Sequence, residues 1–146
     1  MLVGIGADIL QIERFRRSLA RFGRGYLEEV FSEEELARSW VPANLTEAAF
    51  FARAFCAKEA CAKALGTGID ETVDWYDISV DQVTLPATIA LFGGAIARLE
   101  ALTPIGFQSV ISLDIGSKNG LARACVMISV VHQDHSSSGQ LNERRL

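Results

Sequence analysis

The sequence has no apolar run approaching the roughly 20 residues that a membrane-spanning helix requires, so membrane insertion is not expected. Its opening residues, Met1 to Asp8, carry neither the basic flank nor the long apolar stretch of a secretory signal. Cysteine is scarce and odd in number. Cys56, Cys61 and Cys125 cannot all pair with one another, and a chain of 146 residues needs no covalent staple to bury a core. Reduced thiols in a cytoplasmic protein are the expectation. An excess of positive charge is missing too: 14 Lys and Arg against 18 Asp and Glu leave a net charge of −4. That balance argues against a general nucleic-acid binder, though it allows a local basic patch.

Residues 1–131 contain no internal repeat and no low-complexity linker. The whole chain has 49% hydrophobic and 22% charged residues and a mean hydropathy of +0.21, and residues 1–131 are expected to form one compact domain. The composition changes after Val131. His132 to Gly139 has no apolar residue and no period, so residues 132–146 are expected to be a polar, flexible tail.

Leu2 to Leu10 is short, apolar and glycine-spaced, as suits a buried strand. Glu13 to Phe22 has helical spacing. Ser32 and Glu35 form a capping-box pattern that predicts a short helix to about Trp40. Thr46 is a suitable cap for an alanine-rich helix over residues 47–65, and Gly66 sits where a left-handed residue would end it. In the second half the period changes to that of strands, over residues 77–83, 87–92, 107–113 and 121–131. A helix over 95–102 lies between them, and turns fall at Gly93-Gly94 and Gly116 to Gly120. Helices early and strands late define an α+β fold: a single domain with an antiparallel sheet packed against a long central helix.

Five arginines lie between positions 14 and 24. Arg14, Arg17, Arg21 and Arg24 follow an i, i+3, i+7, i+10 spacing, and Ile12, Phe15, Leu19 and Phe22 use the same spacing from another start. At about 100° per residue the two stripes fall nearly opposite one another. The apolar stripe is expected to dock on the body and the arginines to face outward, with only Glu13 nearby to neutralise them. A solvated face is the plain reading of any charged helix. A stripe of arginine without lysine instead favours recognition of carboxylates or phosphates, and the acidic net charge makes an acidic protein helix the preferred partner.

The most informative segment is Phe55-Cys56-Ala57-Lys58-Glu59-Ala60-Cys61-Ala62-Lys63-Ala64-Leu65-Gly66. Glu59 and Lys63, four residues apart, have an ordinary use as a helix-stabilising pair contributing about 0.2–0.5 kcal/mol. However, two of the chain's three lysines sit here among Ala, Cys and Phe, on a helix apolar on most sides. A carboxylate and an ammonium one turn apart suit the two ends of a metal–phosphate unit. Magnesium is commonly held by one or two carboxylates, and Asp8, after Gly4-Ile5-Gly6-Ala7, is the second candidate; its plain alternative is a turn-capping aspartate.

Gly4-Ile5-Gly6-Ala7-Asp8-Ile9 with Ile12-Glu13-Arg14, followed by Phe55-x-Ala57-Lys58-Glu59-Ala60-x-x-Lys63-Ala64-Leu65-Gly66-Thr67-Gly68-Ile69, closely resembles the holo-acyl-carrier-protein synthases. These are the small 4'-phosphopantetheinyl transferases. The resemblance runs from the first strand to about Ile78. It implies a trimer with active sites at the seams between protomers. It also implies magnesium-dependent transfer of 4'-phosphopantetheine from coenzyme A to a serine of apo-acyl carrier protein, with release of adenosine 3',5'-bisphosphate. Asp8 and Glu59 would bind the metal, and Glu59 and Lys63 would serve catalysis. Lys63, Gly66, Pro86 and Arg53 would contact coenzyme A, and Arg14, Arg17, Arg21 and Arg24 the carrier protein. The proton acceptor from the serine is Glu59 or a water on the metal, and the sequence does not choose between them.

Three departures from the family pattern stand out. The arginine expected directly before the aromatic is Ala54 here, with Arg53 one place earlier and about 100° round the helix. Of the family's Gly-x-Pro turn only Pro86 is kept, in Thr84-Leu85-Pro86. The strand ending in Ser-x-Ser/Thr-His is replaced by Ser112-Leu113-Asp114-Ile115-Gly116, so no histidine is present. Asp114 then either adds a third carboxylate at the metal or begins a turn, and His132 and His135 fall after the last expected strand. A degenerate synthase-like module that docks a carrier without transfer is the alternative these departures support. A dinucleotide-binding loop is excluded, since Ile9 occupies the third glycine position and no strand precedes the loop. Cys56 and Cys61 point about 140° apart on a helix and read as buried thiols rather than a metal or redox pair.

Overall fold

A computed structural model describes residues 1–133. The elements run β1 (Leu2–Gln11), α1 (Ile12–Phe22), α2 (Arg24–Val30), α3 (Glu33–Arg38), α4 (Glu47–Ala64), β2 (Ile78–Asp81), β3 (Thr88–Leu91), α5 (Gly93–Leu102), β4 (Phe107–Lys118) and β5 (Leu121–His132). The α+β order is as expected. The strands divide into two antiparallel sheets rather than one: a three-stranded sheet in the order β1-β5-β4, and a β2-β3 hairpin.

α4 is the central helix, with thirteen of its eighteen residues buried. Such a helix cannot rely on one apolar stripe, and its alanines let it lie close to strands and helices alike. Thr46 Oγ1 accepts the Ala49 N–H at 3.1 Å, which caps it as expected, and Gly66 takes φ +78° just past its end. The three-stranded sheet lies against it. Along β5, Ala122, Ala124, Val126, Ile128 and Val130 are buried, while Leu121, Arg123, Met127 and Val131 are exposed on the other face. That second face also carries Ile5 and Ile9 of β1 and Val110 of β4, so a row of aliphatic side chains lies open across all three strands.

The capping box forms: the Glu35 N–H donates to Ser32 Oγ and the Ser32 N–H to Glu35 Oε1, each at 3.2 Å. Its helix stops at Arg38, two residues short of the expectation. The buried Glu35 does more than cap. Lys58, fully buried, donates from Nζ to Glu35 Oε1 at 2.6 Å, to Val30 O at 2.8 Å and to Trp75 O at 2.9 Å. Glu35 Oε2 accepts the Val80 N–H at 3.2 Å. One ion pair thereby joins α2, α3, α4 and β2. Burial lowers the pKa of Lys58, and the charge of Glu35 opposes that shift.

Four sequence expectations are corrected here. Helix α2 was not expected, because Gly23 and Gly25 interrupt the period; Gly23, at φ +64°, ends α1 and turns the chain into the new helix. Arg24 therefore stands on α2 and not on the stripe of α1, and Phe22, the last of the apolar stripe, is 60% exposed. In addition, β4 runs on to Lys118, so the turn is only Asn119-Gly120, both at positive φ. That is the two-residue hairpin whose conformation matches strand twist. In place of the first residue of the expected tail, β5 runs on to His132, which stacks on Phe107 with ring centroids 4.1 Å apart. The rest of it from residue 134, His135 included, lies outside the described residues.

Candidate active site

The site starts from two glycines. On β1 the residues facing α4 are Gly4, Gly6 and Asp8. A Cβ on Gly6 would lie 2.0 Å from Ala60 O and 2.9 Å from Lys63 Cβ, and one on Gly4 would lie 2.1 Å from Ala64 O. Only residues without a side chain let the last turns of α4 rest on the strand backbone. The next residue on that face, Asp8, is brought against the same helix. It sits inside β1, paired with Ala124 of β5, and not at a strand end as a turn cap.

Lys63 meets it there. Lys63 Nζ donates to Asp8 Oδ1 at 3.0 Å and to Ala7 O at 3.1 Å. Glu59, one turn earlier, is half-buried. Burial pushes its carboxyl pKa upward, the charge of Asp8 pushes the same way, and Lys63 opposes. Two carboxylates thus repel one another beside one ammonium, with Cys56 a further turn back on the same face. The Cys56 thiol approaches Ala122 O at 3.7 Å, and burial, with a smaller push from Asp8, raises its pKa to about 12. It is an inert neighbour at neutral pH. Cys61 is also raised to about 12 by burial, and all three cysteines are free.

Among the described residues no group of three or more His, Cys, Asp or Glu side chains gathers as a metal site. The donor set at Asp8 and Glu59 is two carboxylates, whose mutual repulsion a divalent cation relieves. That fits magnesium, which takes one or two carboxylates and leaves its remaining positions to water and phosphate. Asp114 does not join them. It projects from the opposite face of the sheet and is bound by Arg123 Nη1 at 2.6 Å, so it is neither a third carboxylate nor the start of a turn.

The remaining candidates are more dispersed. Arg53 Nε donates to Ser117 Oγ at 2.8 Å near the end of β4, and burial, then the charge of Arg123, lowers its pKa. Gly66 lies beside Arg98 of α5, whose Nε donates to Leu65 O at 2.9 Å and so caps α4. Arg98 is not among the sequence candidates, and no local signal marks it, since it reaches the end of α4 from 33 residues further along the chain. Pro86 is exposed on the β2–β3 loop, which is tied to the other end of α4 by Gln82 Nε2 donating to Phe50 O at 2.7 Å. Phe50 and Lys63 are thirteen residues apart, about 20 Å along a helix. Lys58 faces away from the site altogether.

On the cationic surface, Glu13 binds Arg16 (2.6 and 2.7 Å) and Arg17 (3.3 Å), while Arg24 pairs with Glu28 at 2.9 Å. Arg14 and Arg21 make no ion pair among the described residues, and Arg21 lies over the Phe22 ring at 5.1 Å.

The dependence on Gly6 is directly testable. Gly6→Ala is expected to lower the melting temperature by several degrees and to cut activity at least tenfold, because Ala60 and Lys63 must move away from Asp8. A thermal melt and an initial-rate assay check it.

Comparison with known proteins agrees with this geometry. Residues 4–104 match the model of the 4'-phosphopantetheinyl transferase superfamily. A holo-acyl-carrier-protein synthase of Parvibaculum lavamentivorans is 46% identical over 134 residues, 90% of this chain and 98% of the relative. One from Rhodopseudomonas palustris is 44% identical over 144 residues, covering 95% and 97%. The crystal structure of the Helicobacter pylori holo-acyl-carrier-protein synthase in complex with coenzyme A superposes with a TM-score of 0.67 at 28% identity, covering 86% of this chain and 99% of that one. The chain belongs to the 4'-phosphopantetheinyl transferase superfamily. Its likeness to these synthases extends well beyond Ile78, where the sequence motifs stop.

Proposed function

We propose that the protein is a holo-acyl-carrier-protein synthase that transfers 4'-phosphopantetheine from coenzyme A to a serine of apo-acyl carrier protein. The observation that carries this reading is the convergence of Asp8, Glu59 and Lys63, delivered by the contact of Gly4 and Gly6 with α4. In the reaction the serine oxygen attacks the β-phosphorus of coenzyme A. An oxygen–phosphorus bond forms, the bond to the adenosine 3',5'-bisphosphate half breaks, and the serine proton passes to a base. Lys63 holds the diphosphate as a point charge and supports negative charge developing on its oxygens. Asp8 and Glu59 would hold magnesium, which when bound neutralises the diphosphate and stabilises its transition-state charge. Glu59, with its raised pKa, is the candidate acceptor for the serine proton. The carrier docks on Arg14, Arg17 and Arg21 of α1, with Arg24 of α2 beside them, and docking aligns the serine. Incubation with coenzyme A, magnesium and apo-carrier is expected to add one phosphopantetheine mass to the carrier. No mass gain on any apo-carrier would support the alternative, a module that docks without transfer.

Reversing charge at Arg14, Arg17 and Arg21 together is expected to raise the KM for the carrier at least tenfold at low salt and to leave the KM for coenzyme A unchanged. Steady-state kinetics with each substrate varied checks this.

A homotrimer is part of the same proposal. The open aliphatic face of Ile5, Ile9, Val110, Met127 and Val131 is what association would cover, and Pro86 and Arg53 would then meet Lys63 across a seam. Cys125 lies on that face, between Ala7 and Asp114. Native protein at pH 8 is expected to resist thiol labelling. Met127→Glu is expected to elute as a monomer and to label at Cys125 alone, Cys56 and Cys61 reacting only after unfolding. Size-exclusion light scattering with mass mapping of the label reads both. Among the described residues no helix is long and apolar enough to cross a membrane; a cytoplasmic site of action is part of the proposal.

A further inference from the structure

The arginines of α1 are not equivalent, and the difference is made by one carboxylate. Going round the helix at about 100° per residue, Glu13 lies between Arg16 on one side and Arg17 on the other. Its two oxygens take Arg16 in a two-pronged bond, Nε to Oε2 at 2.7 Å and Nη2 to Oε1 at 2.6 Å. The geometry is the planar pairing that arginine and carboxylate favour. Oε1 also accepts from Arg17 Nε at a longer 3.3 Å. Hydrogen bonding to Arg16 dominates in holding the Glu13 carboxyl down at about 2, so it is ionised at every pH the enzyme would meet. Arg14 and Arg21, further round the same face, have no acidic partner among the described residues. The surface is therefore graded: Arg16 is neutralised, Arg17 is partly engaged, and Arg14 and Arg21 are free.

We propose that Glu13 is a positioning residue that sets the strength and direction of carrier docking. It withdraws Arg16 and weakens Arg17, so that the cationic surface offered to an acidic protein helix is narrowed to Arg14 and Arg21. The proposal rests on the reading that α1 is the carrier surface. Its logic is competition. A carboxylate of the partner can take Arg17 only by displacing Glu13, whereas Arg14 and Arg21 are available without exchange. Removing Glu13 frees two guanidinium groups on the flank of the docking face, widens the field that steers an anionic partner, and increases the number of charges screened by salt.

The test uses the full-length protein and apo-acyl carrier protein as substrate. Glu13→Gln keeps the size of the side chain and removes the charge. It is expected to lower the KM for the carrier about three- to tenfold at low ionic strength and to steepen its rise with salt, with the KM for coenzyme A unchanged. Arg16→Gln leaves the ionised Glu13 carboxylate to Arg17 alone and is expected to raise the carrier KM about two- to fivefold at low ionic strength, whereas Glu13→Gln/Arg16→Gln, with the pair gone, is expected at or below the wild-type KM. Glu13→Asp shortens the reach but keeps the charge and is expected to lie between wild type and Glu13→Gln. A merely structural role for Glu13 would change the melting temperature without altering the salt slope. An unchanged or raised carrier KM in Glu13→Gln, at wild-type melting temperature, overturns the inference. If that variant is too unstable to assay, the Arg16 variants decide: a carrier KM raised equally in Arg16→Gln and in Glu13→Gln/Arg16→Gln shows Arg16 to dock directly and overturns the inference too. Arg14→Glu separates this from failure of the docking assignment. A raised carrier KM in Arg14→Glu with no effect of Glu13→Gln rejects only the present inference, whereas no effect of Arg14→Glu rejects docking on α1.

Discussion

Glu59→Gln is expected to reduce transfer of phosphopantetheine by a thousandfold or more while the protein folds and melts at or above the wild-type temperature. The rate loss follows from removing one of two carboxylates available to the metal, and with it a candidate acceptor for the serine proton; removal of a single group acting on transition-state charge typically costs about 10²–10³ in rate. The stability side follows from the sign of the pKa shift. The carboxyl of Glu59 is raised in the folded protein, by burial first and by Asp8 second, so folding disfavours its charge. Its favourable contribution is present at pH below the ordinary carboxyl range and is lost as pH rises through the raised folded value. Near neutrality, in the absence of metal, the charged side chain is a burden that the amide removes. Thermal melts of wild type and variant without metal should diverge with rising pH, the variant being relatively more stable at neutral than at acid pH. Loss of activity coupled to retained or improved stability is the pattern of a functional group held against its own preference. An active Glu59→Gln variant would remove the residue from the mechanism.

Lys58→Met is expected to have the opposite profile, a large loss of stability without a direct part in chemistry. It removes the partner of Glu35, and an uncompensated buried charge typically costs about 3–5 kcal/mol. It also strips the carbonyls of Val30 and Trp75 of their donor and takes the ammonium from the ring of Phe31, 5.0 Å away. Glu35 still receives the Ser32 and Val80 N–H groups, so the second substitution is best made to glutamine, which retains an acceptor. Lys58→Met/Glu35→Gln is expected to recover part of the loss, because the buried charge is gone. Urea unfolding followed by circular dichroism measures both. A single variant within about 1 kcal/mol of wild type would contradict the role assigned to the pair.

Lys58 and Glu59 also show what a sequence reveals of a site and what it leaves hidden. The helix that carries them is legible from Thr46, the run of alanines and Gly66, because caps and propensity are local. Which neighbour faces the site is not local. Lys58 and Lys63 look alike in sequence; packing against Glu35 takes one into the core, and contact with β1 gives the other to Asp8. The motif identifies Asp8, but the reason it reaches α4 is the missing side chains at positions 4 and 6, whose Cβ atoms would strike a helix more than fifty residues away in the chain. The arginine stripe shows the reverse error. Its period continues through Arg24 on paper, whereas Gly23 breaks the helix first. Asn119-Gly120 is a legible turn signal, but Gly116 resembles a strand breaker in sequence and in fact sits in the strand with the Arg123 side chain across it. Asp114 was ambiguous for the same reason, since the face on which it falls depends on how far β4 runs.

The central claim is that the carboxylates of residues 8 and 59 bind one divalent ion beside the coenzyme A diphosphate. Crystals grown with manganese and coenzyme A, measured at a wavelength where manganese scatters anomalously, test it most directly. The account predicts one anomalous peak per site, touching an Asp8 oxygen, a Glu59 oxygen and the diphosphate, with Lys63 on the phosphate side. A metal bound elsewhere, or two carboxyl groups that never share it, would contradict the account.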